Sequence, residues 1–427
     1  MQYFKNPRFE DLQSFLYNEQ IELDVSQCVT AILTKVKEQG DNALIEYTKQ
    51  FDNVDLSGQS LKIAPTQLKN AFDSLSPEFL ESLNEAKKCI VRYHEHQKRP
   101  NWQYEIGYDS YIRELTIPVQ RAGIYIPAGT APLISTVLMT VLPAKVAGVS
   151  EIIVVTPPQP DGSVNEGILA ACALCGVSSV YRIGGAQSIA ALAYGTSSIP
   201  RVDCIVGPGN KYVTEAKRQL YGIVGIDMIA GPTEILILAD ENTNPTYAAI
   251  DMLSQIEHGK DSKALCICTN SDFLNRLQKE IKVQAESLSR QDILSISLDR
   301  GIALIEVPDT KTMISLANEI SSEHLEIMTR RPSEIAEKIQ NAGVVFLGEY
   351  TPEAVGDYVA GPSHVLPTGG KARFFEGLSI YHFVKKVSHI FYTKNKLRSM
   401  AHAISDIALA EGLDAHCQSV LKRCEEK

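Results

Sequence analysis

From residue 121 onward, short runs of aliphatic and β-branched residues alternate with stretches of helical periodicity, and this alternation constrains the fold more than any other feature of the chain. It predicts strands at 122–126, 152–155, 180–183, 202–206 and 235–238, with helices at 137–146, 166–175, 188–194 and about 210–220. A second series has strands at 264–268, 302–307, 324–328 and 344–347, with helices near 245–257, 271–287, 310–319 and 333–341. Strands that alternate with helices imply mostly parallel sheets covered on both faces. Two such series in tandem imply two Rossmann-like α/β units, with ligands expected at the carboxyl ends of the strands. Ahead of them, 1–26 reads as a short polar helical arm, 27–50 as helix broken at Gly40, and 66–97 as one long helix. The tail, 382–427, reads mainly as helix without a β series.

A length of 427 residues suggests two or three domains, and 44% hydrophobic with 22% charged residues is ordinary for a soluble protein. The net charge of −10 and the lack of a Lys/Arg-rich run argue against nucleic acid as a partner. The nine cysteines are odd in number and sit mostly among apolar neighbours, as expected of reduced thiols in a cytosolic protein. Cys172 and Cys175 have CxxC spacing, but they lie in a helical pattern without a second pair. No apolar leader stands at the N-terminus and no apolar run reaches the ~20 residues of a membrane span, so the expected location is cytoplasmic.

Chemistry-bearing residues gather in the second half. Four of the nine histidines occur in Gln255-Ile-Glu-His258-Gly, Glu323-His324-Leu, Ser-His364-Val and Glu411-Gly-Leu-Asp-Ala-His416, and Asp357 lies between them in Gly-Asp-Tyr. Gln255 and His258, three apart at a helix end, can point an amide oxygen and an imidazole at one ion. Glu323-His324 at a strand start suits two proton transfers. Each segment alone also reads as a cap or a solvated loop. Together they offer imidazole, carboxylate and amide donors without thiolate, the pattern of a catalytic or substrate-binding zinc site rather than a structural one. Gly184-Gly185-Ala-Gln187 and Gly207-Pro-Gly209-Asn210 each follow an expected strand and precede a helix. Such turns let a backbone approach phosphate, but neither is G-x-G-x-x-G, and the pattern leaves nucleotide binding and plain βα turns open.

These segments, with Gly-Ile-Tyr125-Ile-Pro, Asp-Met-Ile-Ala-Gly-Pro-Thr-Glu234 and His364-Val-Leu-Pro-Thr-Gly-Gly, resemble the histidinol dehydrogenase family in order and spacing over nearly the whole chain. The resemblance implies oxidation of L-histidinol to L-histidine through the aldehyde, with two NAD+ reduced in turn, as the last step of histidine biosynthesis. It implies one Zn2+ per subunit on Gln255, His258, Asp357 and His416. Glu323 and His324 would be the acid/base pair, and Tyr125, Gln187 and Asn210 would contact NAD. Substrate would meet Thr233, His324, His364 and Glu411 besides the metal ligands. The implied fold is two Rossmann-like, aldehyde-dehydrogenase-like domains in an intertwined homodimer, with small helical arms at both ends. The NAD-binding domain would span 122–239; 27–121 and 240–381 would carry the metal and acid/base residues; the arm at 382–427 would complete the partner's site. Departures from the family pattern are Ala128, Thr233 for Ser, Pro362-Ser363 before His364, Phe375-Glu376 and His382; none removes a metal ligand or a proton-transfer residue. A zinc hydrolase using Glu323 to activate water, or a non-catalytic imidazole binder, would use some of the same residues; the glycine turns count against the first, the Glu323-His324 pair against the second.

Overall fold

The structure, a computed structural model, describes residues 1–16, 22–128 and 132–425. It divides into two compact units, Met1–Gln97 with Gln120–Phe383, and Lys98–Val119 with Val384–Lys427. In chain order the strands are β1 (Gln2–Lys5), β2 (Trp102–Gly107), β3 (Ser110–Pro118), β4 (Arg121–Tyr125), β5 (Glu151–Thr156), β6 (Ser179–Arg182), β7 (Cys204–Val206) and β8 (Gly225–Ile226). They continue as β9 (Glu234–Ala239), β10 (Lys263–Cys268), β11 (Ile302–Glu306), β12 (His324–Ile327), β13 (Val344–Leu347) and β14 (Val384–Phe391).

The first unit holds two all-parallel sheets, of five strands in the order β6-β5-β4-β7-β8 and of six in the order β1-β11-β10-β9-β12-β13. The expected doubled α/β series is therefore present. Its strands read as unbroken apolar runs because both faces are covered. Along β9, Leu236 and Leu238 join Leu265, Ile267, Ala303 and Ile305 on one face. Ile235, Ile237 and Ala239 join Cys266, Cys268 and Phe273 on the other. The five-stranded sheet packs Tyr125, Ile153 and Val155 against Val29, Ile32, Leu44 and Tyr47 from the helices Glu22–Gln39 and Asp41–Asp52. At about 1.5–3 kcal/mol for each fully buried large aliphatic side chain, these layers supply most of the drive to fold.

The second unit contains the antiparallel sheet β14-β3-β2 and the helices Lys394–Ala410 and Asp414–Glu425. Here the structure departs from expectation. Val384–Phe391 is a strand inside the segment read as helical, paired along its length with β3. Likewise Gln2–Lys5, within the expected helical arm, adds to the edge of the six-stranded sheet beside β11. Both are short polar-apolar mixtures whose partners lie roughly 270–300 residues away in sequence, so local periodicity carries no trace of them. The long helix expected over 66–97 is two, Pro65–Asp73 and Pro77–Gln97, because Pro77 cannot donate a helical hydrogen bond but starts a helix well. Of the N-terminal arm, Phe9–Leu16 is helical and residues 17–21 lie outside the described residues. Among the described residues no helix is long and apolar enough to cross a membrane.

Candidate active site

Two clusters form, at opposite ends of the two sheets. Tyr125 ends β4, and Gln187 and Asn210 follow β6 and β7, so the cofactor candidates sit at the carboxyl edge of the five-stranded sheet, as expected. Thr233, Glu323 and His324 instead stand at or just before the starts of β9 and β12. For the six-stranded sheet the expected carboxyl edge is thus wrong, and the chemistry lies at the amino edge. The reason is local. The helix Pro245–Ile256 runs back from the carboxyl end of β9, and its last turn delivers Gln255, with His258 two residues beyond it, to the amino edge. The loop after β13 contains the helix Glu353–Tyr358 and brings Glu353, Asp357 and His364 to the same place.

Glu323 is held from several sides. The Thr233 hydroxyl donates a short hydrogen bond to its Oε2, and the Glu234 N–H donates to the same atom at 3.2 Å. The Glu323 N–H in turn donates to Glu234 Oε1 at 3.2 Å, and the Gly369 N–H donates to that oxygen at 2.8 Å. Burial, and then the charge of Glu234, push the Glu323 carboxyl well above the carboxylate range; burial takes Glu234 up to about 7. The two hydrogen bonds to Glu323 oppose its shift by favouring the ionised form.

His324 is buried, and its Nδ1 lies 3.1 Å from Gln255 Oε1 and 3.3 Å from Glu353 Oε1. Its Nε2 is buried and has no partner among the described residues. A neutral imidazole that donates from Nδ1 leaves a free lone pair on Nε2, the state required of a base. Burial, and then the positive charge that His258 and His364 would bring, lower its pKa to about 3, so the ring stays neutral at physiological pH. His364 is engaged at both nitrogens, by Thr136 Oγ1 at 3.1 Å and the Asp357 carbonyl at 3.1 Å, and burial takes it down to about 4.

A cation fits this chain's own donors. Ligand atoms of His258, Glu353 and Asp357 all lie within 4.8 Å of one another. The Gln255 amide spans from Thr233 Oγ1, 2.9 Å away, to the Glu353 carboxylate and His324 Nδ1, each 3.1 Å away. When its nitrogen donates to Thr233, its oxygen faces lone pairs of Glu353; turned over, its nitrogen donates to Glu353 and His324 Nδ1 and its oxygen accepts from Thr233. Burial raises Asp357 to about 6 and Glu353 well above the ordinary range, and a bound ion would reverse both shifts. His258 is exposed, yet the protein packed around it disfavours its charged form and lowers its pKa. Sequence reading missed Glu353; nothing in Pro-Glu-Ala-Val signals it, because its role comes only from the fold of the loop. His416 and Glu411 belong to the second unit, where both are exposed, Glu411 ending one helix and His416 near the start of the next.

At the other edge, Gln187 is 1% exposed, and neither polar atom of its amide has a partner among the described residues. A buried amide without partners costs about 1–3 kcal/mol unless a ligand satisfies it. The Tyr125 hydroxyl, pushed up to about 12 by burial, lies 3.4 Å from the Gly185 N–H. Asn210 Oδ1 caps the helix Lys211–Leu220 by accepting from Tyr212 and Val213, which leaves its amide nitrogen for other contacts. These donors and the glycine turns fit a dinucleotide. The CxxC cysteines Cys172 and Cys175 are buried, which pushes the Cys172 thiol well above its ordinary range and that of Cys175 up to about 12, and both are free.

A buried neutral imidazole with one unpartnered nitrogen, a carboxylate pinned by a hydroxyl and a donor group shaped for a cation define an α/β enzyme of proton-transfer chemistry. Its relatives are specific. Residues 17–424 match the family model described as histidinol dehydrogenase. Curated proteins named histidinol dehydrogenase are 48% identical in Bacillus cereus, over 95% of this chain and 94% of that one, and 45% identical in Listeria monocytogenes, over 95% and 94%. A crystal structure titled histidinol dehydrogenase, from Elizabethkingia anophelis, superposes with a TM-score of 0.93 at 35% identity, covering 99% of this chain and 98% of that one. The chain belongs to the histidinol dehydrogenase family and is an oxidoreductase.

Proposed function

We propose that this protein oxidises L-histidinol to L-histidine through the aldehyde, reducing two NAD+, in the cytoplasm, as the last step of histidine biosynthesis. The observation that carries the reading is the His324 ring: its Nδ1 faces Gln255 and Glu353, and its buried Nε2 has no partner among the described residues, so with the ring proton on Nδ1, donated to Glu353, Nε2 accepts the substrate's proton. In the first half-reaction His324 Nε2 takes the hydroxyl proton of the alcohol as hydride leaves its carbon for the nicotinamide ring. In the second, Glu323 takes a proton from water as the oxygen adds to the aldehyde carbon, and the protonated His324 gives its proton to the former carbonyl oxygen, which makes the hydrate and restores the neutral imidazole. Hydride then leaves the hydrate and His324 takes a second hydroxyl proton, giving the acid. As a base Glu323 must be ionised, which the donors Thr233 and Glu234 favour against burial.

Gln255, His258 and Asp357, with His416 from a partner subunit, would hold one zinc, and Glu353 stands close enough to join or brace that set. The ion would hold and orient the substrate's imidazole and amine. His364 and Glu411 would contact substrate, and Tyr125, Gln187 and Asn210 the cofactor, in the domain 122–239. The domain boundaries, the shared homodimer site and the arm at 382–427 belong to the same reading. The test is the yield of NADH per L-histidinol consumed by zinc-loaded protein in excess NAD+. Two NADH are expected. One would mean release of aldehyde and no working hydration step, and none would refute the proposed reaction.

A further inference from the structure

The turn Gly207–Asn210 is held by a buried ion pair that the chemistry above does not use. The Lys217 side chain is 4% exposed and that of Asp227 is 0% exposed. The Lys217 ammonium pairs closely with the Asp227 carboxylate and donates to the Gly207 carbonyl at 3.1 Å. Asp227 Oδ2 accepts from the Gly207 N–H at 2.8 Å, and its Oδ1 accepts from the Met228 N–H at 2.7 Å. One ion pair thus satisfies both polar groups of a single glycine.

That glycine sits where the backbone has no room to move. Gly207 has φ +117°, and a Cβ there would lie 2.2 Å from the Tyr125 carbonyl oxygen. Its peptide is therefore packed on the end of β4, beside the residue expected to meet the cofactor. A Cβ on Gly209 would lie 2.3 Å from Val213, so the turn is equally tight against the helix Lys211–Leu220. Lys217 projects from that helix, and Asp227 directly follows β8. The pair ties three elements (helix, turn and edge strand) around the backbone that presents Asn210.

Burying two charges is a poor route to stability, because desolvation offsets most of their attraction and an apolar pair of similar volume does as well or better. A site that must present backbone N–H groups to an anion gains from the fixed geometry. We infer that Lys217 and Asp227 are positioning residues for dinucleotide binding, holding the Gly207–Asn210 turn in its binding-competent shape before the cofactor arrives. The inference rests on the proposed use of NAD. Neither residue touches the cofactor itself; each acts through Gly207.

The test compares Lys217→Met, Asp227→Asn and the double variant K217M/D227N in the zinc-loaded full chain. NADH affinity is read by fluorescence titration, KM for each substrate by steady-state kinetics, and Tm by thermal unfolding. Each single variant leaves a buried group uncompensated and is expected to lose Tm. The double variant removes both charges and regains most of that Tm. NADH Kd and KM for NAD+ are expected to rise roughly 10-fold or more in the double variant, with KM for L-histidinol within about 2-fold of the parent. Unchanged NADH affinity in a folded double variant, with only Tm altered in the singles, would make the pair merely structural and overturn the inference alone. A parent protein that binds no NADH would overturn both the inference and the reading on which it rests.

Discussion

Replacement of Glu323 by Gln separates the two half-reactions. The glutamine carbonyl can still accept the hydrogen bonds now made by the Thr233 hydroxyl and the Glu234 N–H, so the loop keeps its shape. What disappears is the carboxylate that accepts a proton from water. A positioned general base contributes about 10²–10⁴-fold, or roughly 3–5 kcal/mol of barrier. Oxidation of added histidinaldehyde should slow by that factor. Oxidation of histidinol to the aldehyde relies on His324, whose Nδ1 lies closer to Gln255 and Glu353 than to Glu323 Oε2 at 3.8 Å, and should change less than about 10-fold. The same substitution should not lower Tm. Glu323 carries a raised pKa, so at pH 8 its ionisation, under burial and beside Glu234, works against the folded state. Rapid-quench or stopped-flow measurement of each half-reaction, with NADH absorbance as the signal, gives both rates. Equal losses in the two would refute the role given to Glu323. A large loss of Tm would mean that the effect is structural.

Two further outcomes follow, one from burial and one from the proposed shared site. Glu234 sits near 7 when folded against an ordinary 4.5, so the folded state binds more protons than the unfolded one between those values, and stability falls as pH rises through them. His324 and His364, held down at about 3 and 4, act in the opposite sense, but only below their ordinary 6.5. Metal-stripped protein should therefore lose Tm between about pH 6.5 and 8, and zinc should flatten that slope; a metal-free Tm that rises over this window would contradict the assignment. Separately, under the proposed shared site, inactive His416→Ala and inactive His324→Ala subunits, mixed and reassembled, should regain activity, because one site of such a heterodimer would keep both residues. No recovery in heterodimers confirmed by mass would remove the shared site.

Much of the site was legible in the chain because its residue types are scarce and chemically specific. Gln255, His258, Glu323, His324, Asp357 and His364 were all named from local segments, and the fold gathers them at one sheet edge. Glu353 was not, since a glutamate in a loop carries no signal until the helix Glu353–Tyr358 turns it toward His324. The same holds for Lys217: a lysine in an amphipathic helix reads as solvated, and only the packing of that helix on the turn buries it. The carboxyl-edge expectation failed at the six-stranded sheet because strand order and direction say where loops emerge, not which loops carry the donors.

Periodicity decided the parallel α/β layers, since a buried strand and its covering helix each leave a pattern within 20 residues or so. The strands β1 and β14, the meeting of β9, β12 and the loop after β13, and the raised and lowered pKa values were decided by tertiary structure alone. Each of these depends on contacts between segments tens to hundreds of residues apart, and on the exclusion of water that those contacts bring. Residue identity names the groups able to move a proton or hold an ion. Burial sets which of them are charged, and distance sets which act together.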